Sequence, residues 1–162
     1  MRRAVSEFRI RNASERDFAA AARIAAVCFE DSIRPFYEPE GTGVFFAYLR
    51  EESFRERRAA GAVLLIAERE REAAGVAELR DGSHLAMLFV LPELRNCGVG
   101  RALLERIVRE ARRTGAAALT VLSAPGAAAV YRHWGFEETG AMECVSGVRF
   151  LPMRLRFGGR GR

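Results

Sequence analysis

The stretch His84-Leu-Ala-Met-Leu-Phe-Val-Leu-Pro-Glu-Leu-Arg-Asn-Cys-Gly-Val-Gly-Arg101 decides how this chain is read. Leu85 to Leu91 is an apolar run of the length of one buried strand. Pro92 has no N–H to give to a ladder and ends it. After Arg95-x-x-Gly98-x-Gly100 the period changes, and Leu103, Leu104, Ile107, Val108 and Ala111 fall on one face of a helix. A strand, a glycine-containing turn and a helix N-terminus together make an anion site. The first N–H groups of a helix lack intrahelical acceptors, and its dipole favours negative charge. Glycine also lets a ligand approach the backbone closely. The spacing is not G-x-G-x-x-G, and no acidic residue stands about 20 residues further on, so a Rossmann site is excluded. A Walker motif is excluded because the chain has no lysine.

Working outward, Glu7 to Arg11 alternates around Phe8 and Ile10 as a short strand. Ser14-Glu-Arg-Asp17 resembles a capping box, ahead of a helix carrying Phe18, Ala21, Ile24, Ala25 and Cys28. Two prolines and two glycines break residues 31–43, and a second helix is predicted from about Val44 to Arg58. Ala62–Glu68 and Gly75–Arg80 read as an antiparallel hairpin around a polar turn at 70–74, and Asp81-Gly82 as the turn into the His84 strand. Thr114-Gly115 closes the helix. Ala116–Leu122 is the next strand, so strand, helix and strand favour a right-handed parallel unit. Ser123 is the expected N-cap of a helix beginning at Pro125, and Gly135 its C′ residue with Phe136 making the accompanying contact. Two short strands follow, around Phe136–Thr139 and Val148–Phe157. The expectation is a single mixed α/β (α+β) domain over 1–157. Its central mixed sheet has about six to seven strands, flanked by about four helices, and 158–162 form a frayed Gly/Arg tail.

Composition narrows the class. The chain has 162 residues, 49% hydrophobic and 29% charged, a globular composition with room for a core. No run approaches a membrane span and no secretory leader is visible, so a cytoplasmic protein is expected. Cys28, Cys97 and Cys144 are odd in number and widely spaced, which fits free thiols in a reducing compartment and no metal site. The net charge of +5 comes from arginine alone. The arginines alternate with glutamates at helical i,i+4 spacing, as in Arg101/Glu105 and Arg106/Glu110, which argues against a dedicated nucleic-acid surface.

The Arg95-x-x-Gly98-x-Gly100 loop, following Leu88-Phe-Val-Leu-Pro92, resembles the acetyl-CoA signature of the GNAT superfamily of N-acetyltransferases. A second element of that superfamily, Asn-x-x-Ala-x-x-x-Tyr-x-x-x-Gly-Phe, is matched at Ala127, Tyr131, Gly135 and Phe136, with Ala124 where Asn is common. Ser123-Ala-Pro125 and Phe150-Leu-Pro-Met153 are similar to a subset of it. The resemblance implies acetyl-CoA as co-substrate and an amine acceptor, with direct attack in a ternary complex. It places the pantetheine along Leu88, Phe89 and Val90. The pyrophosphate would lie on the N–H groups of Asn96, Cys97, Gly98, Val99, Gly100 and Arg101, with Arg95 and Arg101 adding charge. Tyr131 would be the general acid. The segment joining the first two helices would wall the acceptor site, with Phe36, Tyr37 and Glu38 as its contacts.

Such a transfer needs a neutral amine, a donor for the developing oxyanion and a proton for the leaving thiolate. His84, which titrates near neutrality, is the first candidate base. Glu78 and a water are its rivals. His133 reads as a surface residue, and Cys97 sits at the phosphate loop, away from a thioester. Asp31, Glu38, Glu40, Glu51 and Glu52 could attract a cationic amine unless they pair with Arg34, Arg50 and Arg55. The alternatives are a catalytically silent acyl-CoA-binding regulatory module and a nucleic-acid-binding protein. Acceptor, acyl group and monomer versus homodimer stay open.

Overall fold

A computed structural model describes residues 8–158; Glu7 of the first predicted strand and residues 159–162 of the tail lie outside the described residues. The chain runs β1 (Arg9–Asn12), α1 (Phe18–Cys28), α2 (Pro39–Tyr48), α3 (Glu51–Ala59), β2 (Val63–Arg69), β3 (Glu72–Arg80) and β4 (His84–Val90). It continues with α4 (Val99–Arg113), β5 (Ala118–Ser123), α5 (Ala128–His133), β6 (Glu137–Glu138), β7 (Glu143–Val145) and β8 (Val148–Arg156). One mixed sheet has the order β1-β2-β3-β4-β5-β8-β6, with β7 paired to β8. Among the described residues, only β4 and β5 are parallel neighbours, joined through α4; every other pairing is antiparallel.

Each face of the sheet has its own core. On one, Leu65, Ala67, Ala77, Leu79, Leu85, Leu119, Val121 and Met153 meet Leu103, Leu104, Ile107 and Ala111 of α4. On the other, Leu64, Ile66, Val76 and Met87 meet Phe18, Ala21, Ile24 and Ala25 of α1 and Phe54 of α3. The central strands β2 and β3 are therefore covered on both sides, which is why β2 reads as a continuous apolar run and β3 as one interrupted by the buried Glu78. The Phe18 and Phe54 rings stack 5.3 Å apart. Burying one such ring stabilises by about 1.5–3 kcal/mol.

Several expectations are met and several corrected. Asp17 accepts from the Ser14 N–H at 2.7 Å, as a capping box requires. The Phe136 N–H donates to the Tyr131 carbonyl at 3.0 Å, with Gly135 at φ +98, so α5 ends in the expected glycine motif. The return strand of the first hairpin starts at Glu72, three residues early, because Glu70 and Arg71 both take positive φ and turn the chain in two residues. The helix predicted at 44–58 is two helices broken at Leu49–Arg50. Its first half begins at Pro39, which occupies the first turn, where its missing N–H costs nothing. Ser123 is not an N-cap. It is buried at the end of β5 with its hydroxyl donating to the Ala124 carbonyl at 2.8 Å, and Ala124 takes the cap position. The sheet also gains β7, which makes an antiparallel hairpin with β8 through Ser146 and Gly147 at positive φ.

Candidate active site

β4 and β5 pair only at His84↔Thr120 and Leu85↔Val121. Beyond that they part, while β4 stays paired to β3 as far as Val90. The Leu91 N–H donates to the Ala74 carbonyl at 3.0 Å, which fixes the alternation along β4. Met87 and Phe89 exchange hydrogen bonds with Glu78 and Val76, and Leu88 and Val90 turn their N–H and C=O groups toward the gap. Of the three residues expected along the pantetheine, Phe89 therefore offers no main-chain group there. Its ring points the other way, edge-on to Phe45 at 6.1 Å. The Val90 carbonyl already receives the Cys28 thiol at 3.2 Å.

At the end of β4 the loop carries two left-handed residues, Asn96 (φ +61) and Gly98 (φ +85), and Gly98 caps α4. The first helical bond found is Ala102 N–H to Gly98 C=O at 3.0 Å, so Val99, Gly100 and Arg101 keep free N–H groups. Successive N–H groups around alternating hands of backbone form a concave anion nest. A Cβ on Gly98 would meet nothing within 4 Å; glycine is there for its φ. Gly100 is there for space, since a Cβ would lie 3.2 Å from the Trp134 ring and 3.7 Å from Val90. The two arginines expected to add charge are engaged elsewhere. Arg95 bonds Asp31 at 2.7 Å and Arg101 reaches Glu105 at 3.3 Å. Cys97 is exposed, with its thiol 3.5 Å from the Arg95 carbonyl.

Tyr131 lies on the α4 face of the sheet, in the cluster against which Leu88 and Val90 pack. Its ring meets Phe136 edge-on at 5.1 Å and Trp134 at 5.9 Å. Trp134 thus links the first turn of α4, through Gly100, to Tyr131. Its spacing from Gly135 gave no hint of this. The Tyr131 hydroxyl makes no hydrogen bond among the described residues, and burial pushes its pKa above the ordinary value for a phenol.

His84 stands just behind the closed end of the gap, on the opposite face. Leu85 and Val121 point to α4, so His84 and Thr120 point away from it. Nδ1 of His84 lies 2.8 Å from the Thr120 hydroxyl. With Nδ1–H donating to that oxygen, Nε2 carries a free lone pair. Burial, followed by the nearby Arg80 guanidinium, lowers the His84 pKa and keeps the ring neutral at pH 7.

Glu78, the rival base, is committed. It is 1% exposed, accepts from Tyr48 Oη at 2.6 Å and from Arg57 Nε at 2.9 Å, and Arg57 also bonds the Tyr48 carbonyl at 2.9 Å. The Arg57 guanidinium stacks over the Tyr48 ring at 3.5 Å. No spacing in the sequence foretells this network, because α2, α3 and β3 bring its members together.

The segment between α1 and α2 crosses to the far side of the gap. A π-helical turn, Phe29–Ile33, leads to Phe36, whose ring lies 3.9 Å from the Cβ position of Gly126, ahead of α5. Tyr37 bridges to Val148, and the Glu38 N–H donates to the Gly147 carbonyl at 2.9 Å. Gly41 has no room for a Cβ, which would sit 2.4 Å from that same oxygen. Of the five acids expected to make a field here, Asp31 pairs with Arg95 and Glu51 with Arg55, whereas Glu38, Glu40 and Glu52 form no ion pair among the described residues. Among the described residues no three His, Cys, Asp or Glu side chains group as metal ligands, and no helix is long and apolar enough to cross a membrane.

The fold is shared. A GCN5-related N-acetyltransferase from Rhodopseudomonas palustris is 24% identical, covers 97% of this chain and 100% of its own, and superposes with a TM-score of 0.81. PaiA N-acetyltransferase from Thermoplasma acidophilum, solved in complex with coenzyme A, is 17% identical over 93% of this chain and 99% of its own, TM-score 0.77. YncA from Salmonella typhimurium, solved with its cofactor acetyl-CoA, is 24% identical over 97% and 98%, TM-score 0.68. No curated protein matches the sequence. A family model for the acetyltransferase (GNAT) domain matches residues 33–157, from the segment over the gap to the end of β8, and the chain belongs to the GNAT family of acetyltransferases.

Proposed function

We propose that this acetyltransferase moves the acetyl group of acetyl-CoA to a primary amine by direct attack in a ternary complex. The observation that carries the reading is the gap between β4 and β5, where Leu88 and the Val90 N–H offer unpaired main-chain groups directly upstream of the Asn96–Arg101 nest. The two ends suit the two ends of one ligand. Amides such as those of pantetheine pair with Leu88 and Val90 like an added strand, and a pyrophosphate accepts from Val99, Gly100 and Arg101. Acetyl-CoA supplies the activated acyl group.

The chain's own residues then divide the work across the sheet. On the α4 face, Tyr131 holds a proton for the departing thiolate. On the other, His84 takes the proton of the amine. His84 precedes Leu88 by four residues, roughly 13 Å of strand, so it acts through water. The Leu88 N–H stands where it can polarise the acyl carbonyl. Free Cys28, Cys97 and Cys144 suit a reducing, cytoplasmic setting.

A thiol-release assay with acetyl-CoA and a panel of amines tests this, followed by mass spectrometry of a cell extract incubated with the protein and acetyl-CoA. Amine-dependent thiol release and a mass gain of one acetyl group support the reading. Acetyl-CoA binding with no acceptor turned over would instead mark a silent acyl-CoA-binding module.

A further inference from the structure

The two halves of the sheet differ on the face away from α4. There the core packed against α1, α2 and α3 draws on β2, β3 and β4 and includes no residue of β5 or β8. Leu119, Val121, Leu151 and Met153 point to α4, so Thr120, Leu122, Phe150, Pro152 and Arg154 point to the bare side. Thr120 is opposite Arg154, and Leu122 opposite Pro152. The bare face therefore changes character along its length. It is polar level with His84, where the gap closes, and apolar one step further along β5, where Leu122 is 51% exposed. A strand face left to water is ordinarily polar, and here the apolar part is the part that borders the gap.

Across the gap stands an aromatic wall. On β4 the Phe89 ring lies on this same face, edge-on to Phe45 at 6.1 Å, and Tyr37 meets Phe45 edge-on at 6.0 Å. Phe36 reaches the chain beyond β5, with its ring 3.9 Å from the Cβ position of Gly126. All four rings are partly exposed. The segment that carries Phe36 and Tyr37 is pinned at both ends, by Asp31 to Arg95 at 2.7 Å and by the Glu38 N–H to the Gly147 carbonyl at 2.9 Å. The opening beside Leu88 thus has Phe89 on one side, Leu122 and Pro152 on the other, and Phe36 at its end. Three apolar side chains on the bare strands, Leu122, Phe150 and Pro152, fall far short of the about 800 Å² that each partner gives to a stable protein interface. They suit one ring of a small molecule.

We infer that the amine acetylated by this protein is a small arylalkylamine, a primary amine on a short tether from an aromatic ring, with the ring held against Leu122 and Pro152 and facing Phe36. The inference rests on the acetyltransferase reading of the β4/β5 gap and names its substrate class. The dimensions agree. Continuing the register past Leu85↔Val121 puts Leu122 level with Ala86, two residues or about 7 Å of strand from Leu88. An amine, a two-carbon tether and a phenyl ring in extended form span about 7 Å as well. With the nitrogen at an acyl carbonyl beside the Leu88 N–H, the ring therefore reaches Leu122. Apolar walls bind the ring by removing it from water, and aromatic neighbours meet it edge-on or offset. The same walls disfavour the ammonium form and leave the neutral nucleophile. The nitrogen bonds to the acetyl carbon, the C–S bond breaks, and the products are the N-acetyl arylalkylamine and the CoA thiol. The thiolate takes its proton from Tyr131, and the amine loses one through water toward His84.

The test uses primary amines that differ in the body they carry: 2-phenylethylamine, ethylamine and 1,4-diaminobutane. Each is titrated into the CoA-saturated protein while NOEs from ligand to protein are recorded by NMR, and each is assayed for thiol release with acetyl-CoA. The ring protons of 2-phenylethylamine are expected to show NOEs to the Leu122 methyl groups. Its kcat/KM should exceed that of ethylamine and of 1,4-diaminobutane at least tenfold, the scale of burying one ring. Leu122→Thr should lower the ratio of 2-phenylethylamine to ethylamine at least threefold, and Leu122→Met should keep most of it. A ratio below tenfold over either competitor in the parent protein, ring NOEs that are absent or miss Leu122, or a Leu122→Thr ratio less than threefold below that of the parent each overturn the inference. So does a dimer in the CoA complex whose Leu122 contacts are intermolecular. The comparison of amines is made in the parent protein, so it stands even if a variant misfolds. CoA saturation measured first by calorimetry separates the two levels. Saturation without a preference for the aromatic amine removes only this substrate class, and failure of CoA to bind removes the cleft reading and this inference with it.

Discussion

Replacing Tyr131 by Phe removes one oxygen and leaves the ring where it is. The hydroxyl makes no hydrogen bond among the described residues, so no partner is orphaned, and the contacts with Phe136 at 5.1 Å and Trp134 at 5.9 Å persist. The expected change in stability is within about 0.5 kcal/mol. Tyr131→Ala would empty the cluster and cost about 3–5 kcal/mol, which makes Phe the interpretable probe. The chemical effect is separate. Burial raises the Tyr131 pKa, so the phenol is fully protonated throughout the neutral range and available as a donor. It is also a weaker acid than a thiol of pKa about 8.5, so its advantage over water is limited. That puts the loss in kcat at roughly tenfold to a hundredfold, or about 1.4–2.7 kcal/mol, at and below the lower bound usual for a general acid. Steady-state thiol release gives kcat, calorimetry gives acetyl-CoA affinity, and a melt confirms the fold. A kcat within twofold of the parent, or a loss matched by an equal loss in acetyl-CoA affinity, would refute the assignment and leave Tyr131 a packing residue.

Three further outcomes follow from the geometry. Gly98→Ala should destabilise by about 1–2 kcal/mol for its left-handed backbone alone, whereas Gly98→Asp should also weaken CoA binding at least tenfold in calorimetry by placing a carboxylate at the nest. Glu78→Ala leaves the Arg57 charge buried and should cost about 3–5 kcal/mol in urea unfolding, while Arg57→Met with Glu78→Leu recovers most of it. For His84, the pKa is lowered below 6.5, and the neutral form is the base; kcat/KM should rise with pH through a value below 6.5 and be flat by neutrality, and His84→Gln should lose that limb. An unchanged profile in His84→Gln would pass the role of base to water.

Much of this was legible in local chemistry. The β4–α4 unit announces itself because an apolar run, a proline and two glycines are followed by a change of period, and the end of α5 because Tyr131, Gly135 and Phe136 sit at the spacing of a glycine-capped helix. What escaped depends on distant contacts. Pro39, Gly41 and Gly43 look like breakers, yet α2 runs through them because Gly41 is pressed against Gly147 of the β7–β8 turn. The buried Tyr48–Glu78–Arg57 network joins three elements, and Trp134 matters only once α5 lies against Gly100. Along β4, the sequence shows which residues are apolar but not the register. The register to β3 is what turns Leu88 and Val90, and not Phe89, toward the gap.

The central claim is that acetyl-CoA binds as an added strand on the open edge of β4, and amide hydrogen exchange with and without CoA tests it residue by residue. Met87 and Phe89 already donate to β3, so their exchange should be slow and change little. The Leu88 and Val90 N–H groups face the gap and should become protected when CoA is added, together with those of Val99, Gly100 and Arg101. Protection confined to other elements, or no change at Leu88 and Val90 at saturating CoA, would contradict the account.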